Sequence, residues 1–517
     1  MSDPGGRGDT FCGINPEALQ GTITSLKRDS SRLRTSASRF KGRFDQLGID
    51  AQPLTKLLHI ASWADDQLPM LRRRHHLALL IDKDADPVLH YPNHPDMIMV
   101  DDTDVSAGPP KSSELPDGAD PKLNADWWGS LTPGLKAELQ FLYPAQIGAL
   151  DGLPATVRDK ANRAQLFKEK GQFNAKLKRL RRDLAETKAQ IPSNVDDVGG
   201  AIGGSPAYEL QNEIDEVQSK LGSIAAVERG LAKGDQSGFP HAYLLGFDTH
   251  KLGHAIVSFG DPDTADDMVT YVPGLGSKLA GAEGDINRAS ALWQDSNRRA
   301  PDKHVASLYW LGYDAPQLAA NRHGADVAGE GDANAGAPLL RRFTQGLTAA
   351  RTVSSPVHTV VLGHSYGSLV TGRAAVLGKG KLADDLVFVG SPGVGVDHAS
   401  DLHVDPSHVW AGANVHDPVP DLPASDVLQD LGGNASSFGI NPASVAFGGH
   451  VFKADQDPSQ SFSSVDLDAH SSYWDTNSDS LANLAKITVG DYGDVTQTRP
   501  IPSDIPTAPT LVGPGVL

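Results

Sequence analysis

Apolar residues recur along this chain with two different periods, and the change falls near Gly238-Phe239-Pro240. Before it the spacing is helical. Leu19, Ile23, Leu26, Leu33, Ala37, Phe40, Phe44 and Leu47 follow one another at intervals of three or four, with one of seven. Asn15-Pro16 is a good helix start and Gly48 a good stop, so one long helix is predicted between them. A second is predicted over about residues 53–81, and another from Pro133 to Leu142, after Trp127-Trp128. Phe173, Leu177, Leu180 and Leu184, then Leu210, Ile214, Val217, Leu221, Ile224 and Leu231, predict two more long helices joined by a Gly-rich turn between Pro192 and Pro206. They read as an antiparallel hairpin whose apolar stripes pack on each other within the chain.

After the break, short β-rich runs alternate with helix-like segments. Tyr243 to Phe247 and Ala255 to Phe259 flank the polar turn Asp248-Thr249-His250-Lys251 and predict a hairpin. Met268 to Val272, Val305 to Leu311, Val357 to Leu362, Leu386 to Val389, His408 to Ala411 and His450 to Lys453 follow. Such alternation predicts an α/β domain with a mostly parallel sheet covered by helices on both faces. The expected organisation is a helical hairpin region at 1–100, a Pro/Gly-rich linker at 101–122 and a second helical region at 123–235. An α/β domain at 236–490 and a Pro-rich, mobile tail at 491–517 complete it. The stretch from Asp421 to Gly449, rich in Gly, Ser and Asn, is expected to cap the site.

Charge narrows the function classes. With 46 basic and 64 acidic residues the net charge is −18, which argues against nonspecific nucleic-acid binding and against an anionic membrane surface. No apolar run reaches the length of a membrane span, and residues 1–13 show no basic-then-apolar leader. A cytoplasmic location is the default expectation, with signal-peptide-independent export as the alternative. Cys12 is the sole cysteine, so no intrachain disulfide can form.

The densest chemical signal is Gly363-His364-Ser365-Tyr366-Gly367-Ser368. It follows the strand-like run ending at Leu362 and precedes a helix-like run from Leu369 to Val376. Strand, G-x-S-x-G, helix is the context of a nucleophile elbow, which exposes a serine hydroxyl on a strained turn. A serine needs a base, an acid to orient the base, and donors for a developing oxyanion. Asp417 in Asn414-Val415-His416-Asp417-Pro418-Val419-Pro420 is the favoured acid, with Asp397, Asp401 and Asp314 as rivals. His470, after the last expected strand, is the favoured base over His450 and His416. The backbone N–H of Tyr366, and that of Leu275 or next Gly276 in Val272-Pro273-Gly274-Leu275-Gly276-Ser277, are the expected oxyanion donors. A dinucleotide loop is excluded there because Leu279 stands where the third glycine belongs. H-E-x-x-H, paired C-x-x-C and G-x-x-x-x-G-K-[ST] are absent, so no cofactor and no metal are expected.

Several segments carry a resemblance in one order: Tyr271-Val272-Pro273-Gly274; Trp310-Leu311-Gly312-Tyr313-Asp314-Ala315-Pro316; the elbow itself; Val389-Gly390-Ser391-Pro392-Gly393-Val394-Gly395; Asp417-Pro418-Val419; and His470-Ser471-Ser472-Tyr473-Trp474. Residues 243–490 resemble the actinobacterial α/β-hydrolase family long catalogued as a domain of unknown function. Upstream, Leu150-Asp151-Gly152-Leu153-Pro154 and Arg158-Asp159-Lys160-Ala161-Asn162 are similar to that family's helical front section. The resemblance implies an α/β-hydrolase fold and a Ser365–Asp417–His470 triad, and supplies no substrate. The expected function is a serine hydrolase of carboxylic esters, acting on a small-molecule or lipid ester, with acyl transfer open to the same triad. The alternative is a partner-binding or exported effector protein, in which the helical half meets a protein partner and the hydrolase domain is scaffold or cargo.

Overall fold

Local sequence sets the elements and hydrogen bonding between distant segments assembles them. The computed structural model describes residues 16–84, 112, 115–190, 205–317, 330–421, 438–454 and 468–501. The helices are α1 (Pro16–Gln46), α2 (Gln52–Asp84), α3 (Pro121–Ser130), α4 (Pro133–Leu142), α5 (Pro144–Ala149), α6 (Ala155–Ala189), α7 (Pro206–Leu231), α8 (Ala282–Arg299), α9 (Glu330–Ala350), α10 (Gly367–Val376), α11 (Pro418–Asp421) and α12 (Asp479–Thr488). The strands are β1 (Ala242–Asp248), β2 (His254–Phe259), β3 (Asp267–Val272), β4 (Val305–Leu311), β5 (His358–His364), β6 (Asp385–Val389), β7 (Val409–Ala413) and β8 (His450–Lys453). Each strand-like run read from the sequence is a strand, to within a residue or two at its ends.

The chain divides into two compact units, residues 1–116 with 128–144, and residues 117–127 with 145–517. In the first, α1 and α2 pack on each other, and Ile23 and Ala37 on one and Ala61, Ala64 and Leu68 on the other are buried. Ser30 and Arg34 of α1 both bond Asp65 of α2, which sets the alignment of the two helices. Thr132 caps α4, its hydroxyl accepting the Leu135 N–H at 3.3 Å, with Pro133 in the first turn.

In the second unit the eight strands form one sheet in the order β1-β2-β4-β3-β5-β6-β7-β8. The pairs β1–β2 and β2–β4 are antiparallel and every other pair is parallel. This is the mostly parallel, helix-flanked α/β-hydrolase sheet expected from the sequence, with a helical region before it. Strands β3, β4 and β6 are buried along their whole length, as a sheet covered on both faces requires.

Both edges of the sheet are covered. Asp159 Oδ1 on α6 accepts the Leu244 N–H at 2.7 Å, and Asn162 Nδ2 donates to the Leu244 carbonyl at 3.0 Å, beside the β-bulge between Leu244 and Gly246. Side chains thereby satisfy backbone groups that an edge strand would leave unpaired. The buried Arg158–Asp151 ion pair, 3.0 Å, sits beneath this contact. The α6 and α7 stripes pack on each other through Leu177, Leu180 and Leu184 against Ala207, Ile214 and Val217. The Gly-rich turn between them lies outside the described residues. Ala155, Leu166, Ile224 and Leu231 from the same helices join the sheet's own core.

At the far edge, residues expected in the tail belong to the fold. The Lys453 N–H donates to the Thr496 carbonyl (2.8 Å), the Thr498 N–H to Val451 (2.9 Å), and Gln497 bridges Phe452 antiparallel. The open side of β8 recruits this segment, a non-local pairing that composition does not reveal. Of the expected cap, residues 422–437 lie outside the described part; Phe438 is buried against the Tyr366 ring, centroids 6.1 Å apart.

The amino ends of β3, β5 and β6 are joined by a charged network. Asp385, fully buried, accepts from His358 Nε2 (2.7 Å), His408 Nδ1 (3.0 Å), Trp410 Nε1 (3.0 Å) and the Tyr492 hydroxyl (2.5 Å). His358 Nδ1 lies 3.3 Å from Asp267 Oδ1. Burial alone would depress the His358 pKa, but its bonds to Asp267 and Asp385 outweigh that and raise it to about 9. A raised folded-state pKa gives stability that is fully present below the unfolded value and lost as pH rises through the folded one. The thermal midpoint should therefore fall from about pH 7 to about pH 10, and fall less in His358→Gln. Equal slopes for wild type and variant in calorimetric scans would remove His358 as the cause.

Candidate active site

Strand β5 ends at His364, and the chain turns so sharply that Ser365 adopts φ +56°, a conformation side-chain-bearing residues rarely hold. Two contacts hold it there. The Ser365 N–H donates to the Val389 carbonyl at the end of β6, 3.0 Å, and the Ser368 hydroxyl donates back to the Gly363 carbonyl, 3.1 Å. The following helix starts against the loop after β3: a Cβ at Gly367 would lie 2.3 Å from the Val272 carbonyl oxygen, so glycine is required.

The structure brings Asp417 and His470 together. Asp417, on the loop after β7, is buried, and His470 Nδ1 lies 2.9 Å from its Oδ2 and 3.0 Å from its Oδ1. A carboxylate only accepts, so Nδ1 carries the hydrogen and Nε2 the lone pair. The Tyr473 hydroxyl donates to Asp417 Oδ2 at 2.7 Å and accepts the Asn414 N–H at 3.1 Å. The Val419 N–H donates to Asp417 Oδ1 at 2.9 Å. Gly390, φ +55°, lies beside the pair: a Cβ there would fall 2.8 Å from Asp417 Oδ2 and 2.9 Å from His470 Cε1.

Ser365 and His470 line one cleft of about 270 Å³, together with His364, Leu275, Gly276, Lys278, Asp285 and Arg288. The loop after β3 reaches Ser365 closely, since a Cβ at Gly274 would meet Ser365 Cβ at 2.7 Å and the Tyr366 nitrogen at 2.9 Å. The Tyr313 hydroxyl donates to the Pro273 carbonyl (2.7 Å), and the Gly276 N–H donates to the Pro316 carbonyl (2.8 Å). In this second bond the Gly276 N–H, expected among the oxyanion donors, is engaged by the segment after β4. Leu275 is half-buried in the cleft wall.

Three of the rival residues have other partners. Asp314 bonds Lys251 Nζ at 2.6 Å and Asp401 caps a short 3-10 turn at His398. His450 stacks on Trp410, centroids 4.7 Å apart.

Sequence reasoning passed over His364. Its ring is buried, and Nε2–H donates to the His470 carbonyl at 2.7 Å, with ring centroids 4.6 Å apart. Burial, then the neighbouring His470 and Arg288, hold its pKa well below the usual value, so it stays neutral and fixes the His470 backbone without adding charge. The signal was its place inside G-x-S-x-G. Also passed over was the group at the start of α8. Arg288 Nη1 donates to Asp285 Oδ1 (2.8 Å) and the Tyr271 hydroxyl (3.0 Å), and its guanidinium lies 5.0 Å over the Trp474 ring. Among the described residues no cluster of three His, Cys, Asp or Glu is arranged to hold a metal ion, and no helix is long and apolar enough to cross a membrane.

The family model described as alpha/beta hydrolase matches residues 248–427. The uncharacterized protein Rv2079 of Mycobacterium tuberculosis (strain ATCC 25618 / H37Rv) is 31% identical over 388 residues, 71% of this chain and 55% of that protein. The uncharacterized protein Mb0988c of Mycobacterium bovis (strain ATCC BAA-935 / AF2122/97) is 38% identical over 198 residues, 37% of this chain and 68% of that protein. The chain belongs to this alpha/beta hydrolase family, which has mycobacterial members. It spans little more than half the length of the M. tuberculosis relative. A solved structure titled "Structure of arylesterase" overlaps 60% of this chain and 98% of its own at 10% identity and a TM-score of 0.27, a likeness too slight to bear on substrate.

The Gly390 contact is directly testable. Gly390→Ala places a methyl group against the Asp417–His470 pair at a positive φ, so stability should drop by about 1–2 kcal/mol. The low-field proton resonance of His470 Nδ1–H should shift or vanish. An unchanged resonance in the variant would show that the pair tolerates the methyl group.

Proposed function

We propose that this chain is a serine hydrolase of carboxylic esters, with Ser365 as nucleophile, His470 as base and Asp417 as its orienting acid. The observation that carries the reading is the Asp417–His470 hydrogen bond, 2.9 Å, in the cleft that holds Ser365 on a strained elbow. Ser365 Oγ attacks the ester carbon and its proton passes to His470 Nε2. The tetrahedral oxyanion is met by the N–H groups of Tyr366 and Leu275. Collapse breaks the bond to the alcohol oxygen, which leaves with the proton from His470. Water then gives its proton to His470, attacks the acyl carbon, and releases the acid as Ser365 recovers its hydrogen.

Asp417 stabilises the imidazolium formed in each step, and its bonds from Tyr473 and Val419 keep it placed to do so. His364 supports the same ring from its backbone side and, being neutral, does not oppose the positive charge His470 acquires. Residues 236–490 carry the chemistry in this reading. The α6–α7 hairpin serves as a fixed wall of the sheet, and a small-molecule or lipid ester is the substrate class.

Intact mass after treatment with a fluorophosphonate should show one adduct on wild type and none on Ser365→Ala, which should also lose turnover of 4-nitrophenyl hexanoate. Asp417→Asn should retain the fold and lose roughly 10³–10⁴-fold in kcat. Ester hydrolysis that survives intact in Ser365→Ala would overturn the assignment.

A further inference from the structure

We infer that the cleft contains an anion subsite, formed by Arg288 and Lys278 beside Ser365, and that the preferred ester carries one negative charge on its acyl part. This rests on the esterase reading and names its substrate class. The cleft is polar where a general lipase site would be apolar: Ser277, Lys278, Asp285, Arg288 and Ser471 share its wall with Ser365 and His470. Lys278 is exposed and has no ion-pair partner among the described residues. An unmatched cation in the cleft of a chain with net charge −18 is not a consequence of composition.

Arg288 is held rigidly. Both its hydrogen bonds among the described residues run from Nη1, to Asp285 and Tyr271, and Trp474 lies under its plane. Nε and Nη2 are left for a ligand, and a pre-positioned guanidinium loses little entropy on binding a carboxylate. Asp285 Oδ1 accepts from both Arg288 and Tyr271, so this carboxylate acts as the anchor of the cation. Two cations and one carboxylate leave a single net positive charge in the wall, which matches a monoanion such as a carboxylate. The small volume, about 270 Å³, places that charge a few bonds from the scissile carbonyl.

The test compares mono-4-nitrophenyl adipate with 4-nitrophenyl hexanoate, equal in acyl length and different in charge, on the full chain. Wild type should favour the adipate in kcat/KM by roughly tenfold or more, and Arg288→Gln and Lys278→Ala should each reduce that preference several-fold. Because Arg288 is partly buried and its variant could misfold, the exposed Lys278→Ala keeps the inference testable. The ratio of the two esters, read within each variant, separates subsite loss from general damage. Ser365-dependent hydrolysis with no preference for the adipate, or a preference unchanged in both variants, overturns the subsite alone. Failure to hydrolyse either ester and to take up a fluorophosphonate overturns the esterase reading and the subsite with it.

Discussion

Strand β5 is paired on both sides, with β3 and with β6, and that double pairing is the constraint on which the rest of the site depends. Register places Val272 beside Gly363 and Val389 beside His364, so three strands end at the same level. The loop leaving β3 then approaches Ser365 from one side, and Gly390, leaving β6, meets the Asp417–His470 pair on the other. The positive φ of Ser365 survives because Val389 takes its N–H and Gly367 leaves no side chain to collide with Val272. A slip of one residue in either pairing would break all these contacts together.

The charges near the cleft follow one logic. Each buried ionic group is answered by a partner: Asp417 by His470, Tyr473 and a backbone N–H; Asp285 by Arg288 and Tyr271; Asp385 by four donors at the opposite end of the strands. Unanswered burial would cost several kcal/mol per group. His364, which has no carboxylate partner among the described residues, responds by staying neutral. The two ends of the sheet therefore use histidine oppositely. His358 is held charged by two carboxylates, and His364 is held uncharged by burial.

The sheet edges give a role to segments outside the strand–helix alternation. Asp159 and Asn162 on α6 occupy the backbone groups of β1, and residues 496–498 occupy those of β8. Segments that look accessory in sequence, a charged helical hairpin and a Pro-rich terminus, thus cover edges that would otherwise offer a template for pairing with another chain.

Helix and strand periodicity, the break near Gly238 and the G-x-S-x-G context made the α/β-hydrolase sheet and its helical lead legible, because these are local patterns of apolar spacing and turn chemistry. The same local reasoning nominated Ser365, Asp417 and His470 by residue type and order along the chain. It could not tell which N–H on the loop after β3 is engaged, since the partner of Gly276 is Pro316, on another loop. Nor could it find His364, Gly390, Tyr473 or the Arg288–Asp285 pair, whose meaning lies in contacts across the sheet. It also assigned residues 496–498 to a tail, because their pairing to β8 depends on an open edge that exists only once the sheet is built. Sequence by itself determined the elements and nominated the residues at the site; tertiary structure decided which groups are neutral, engaged or exposed, because burial and hydrogen-bond partners are properties of residues far apart in the chain.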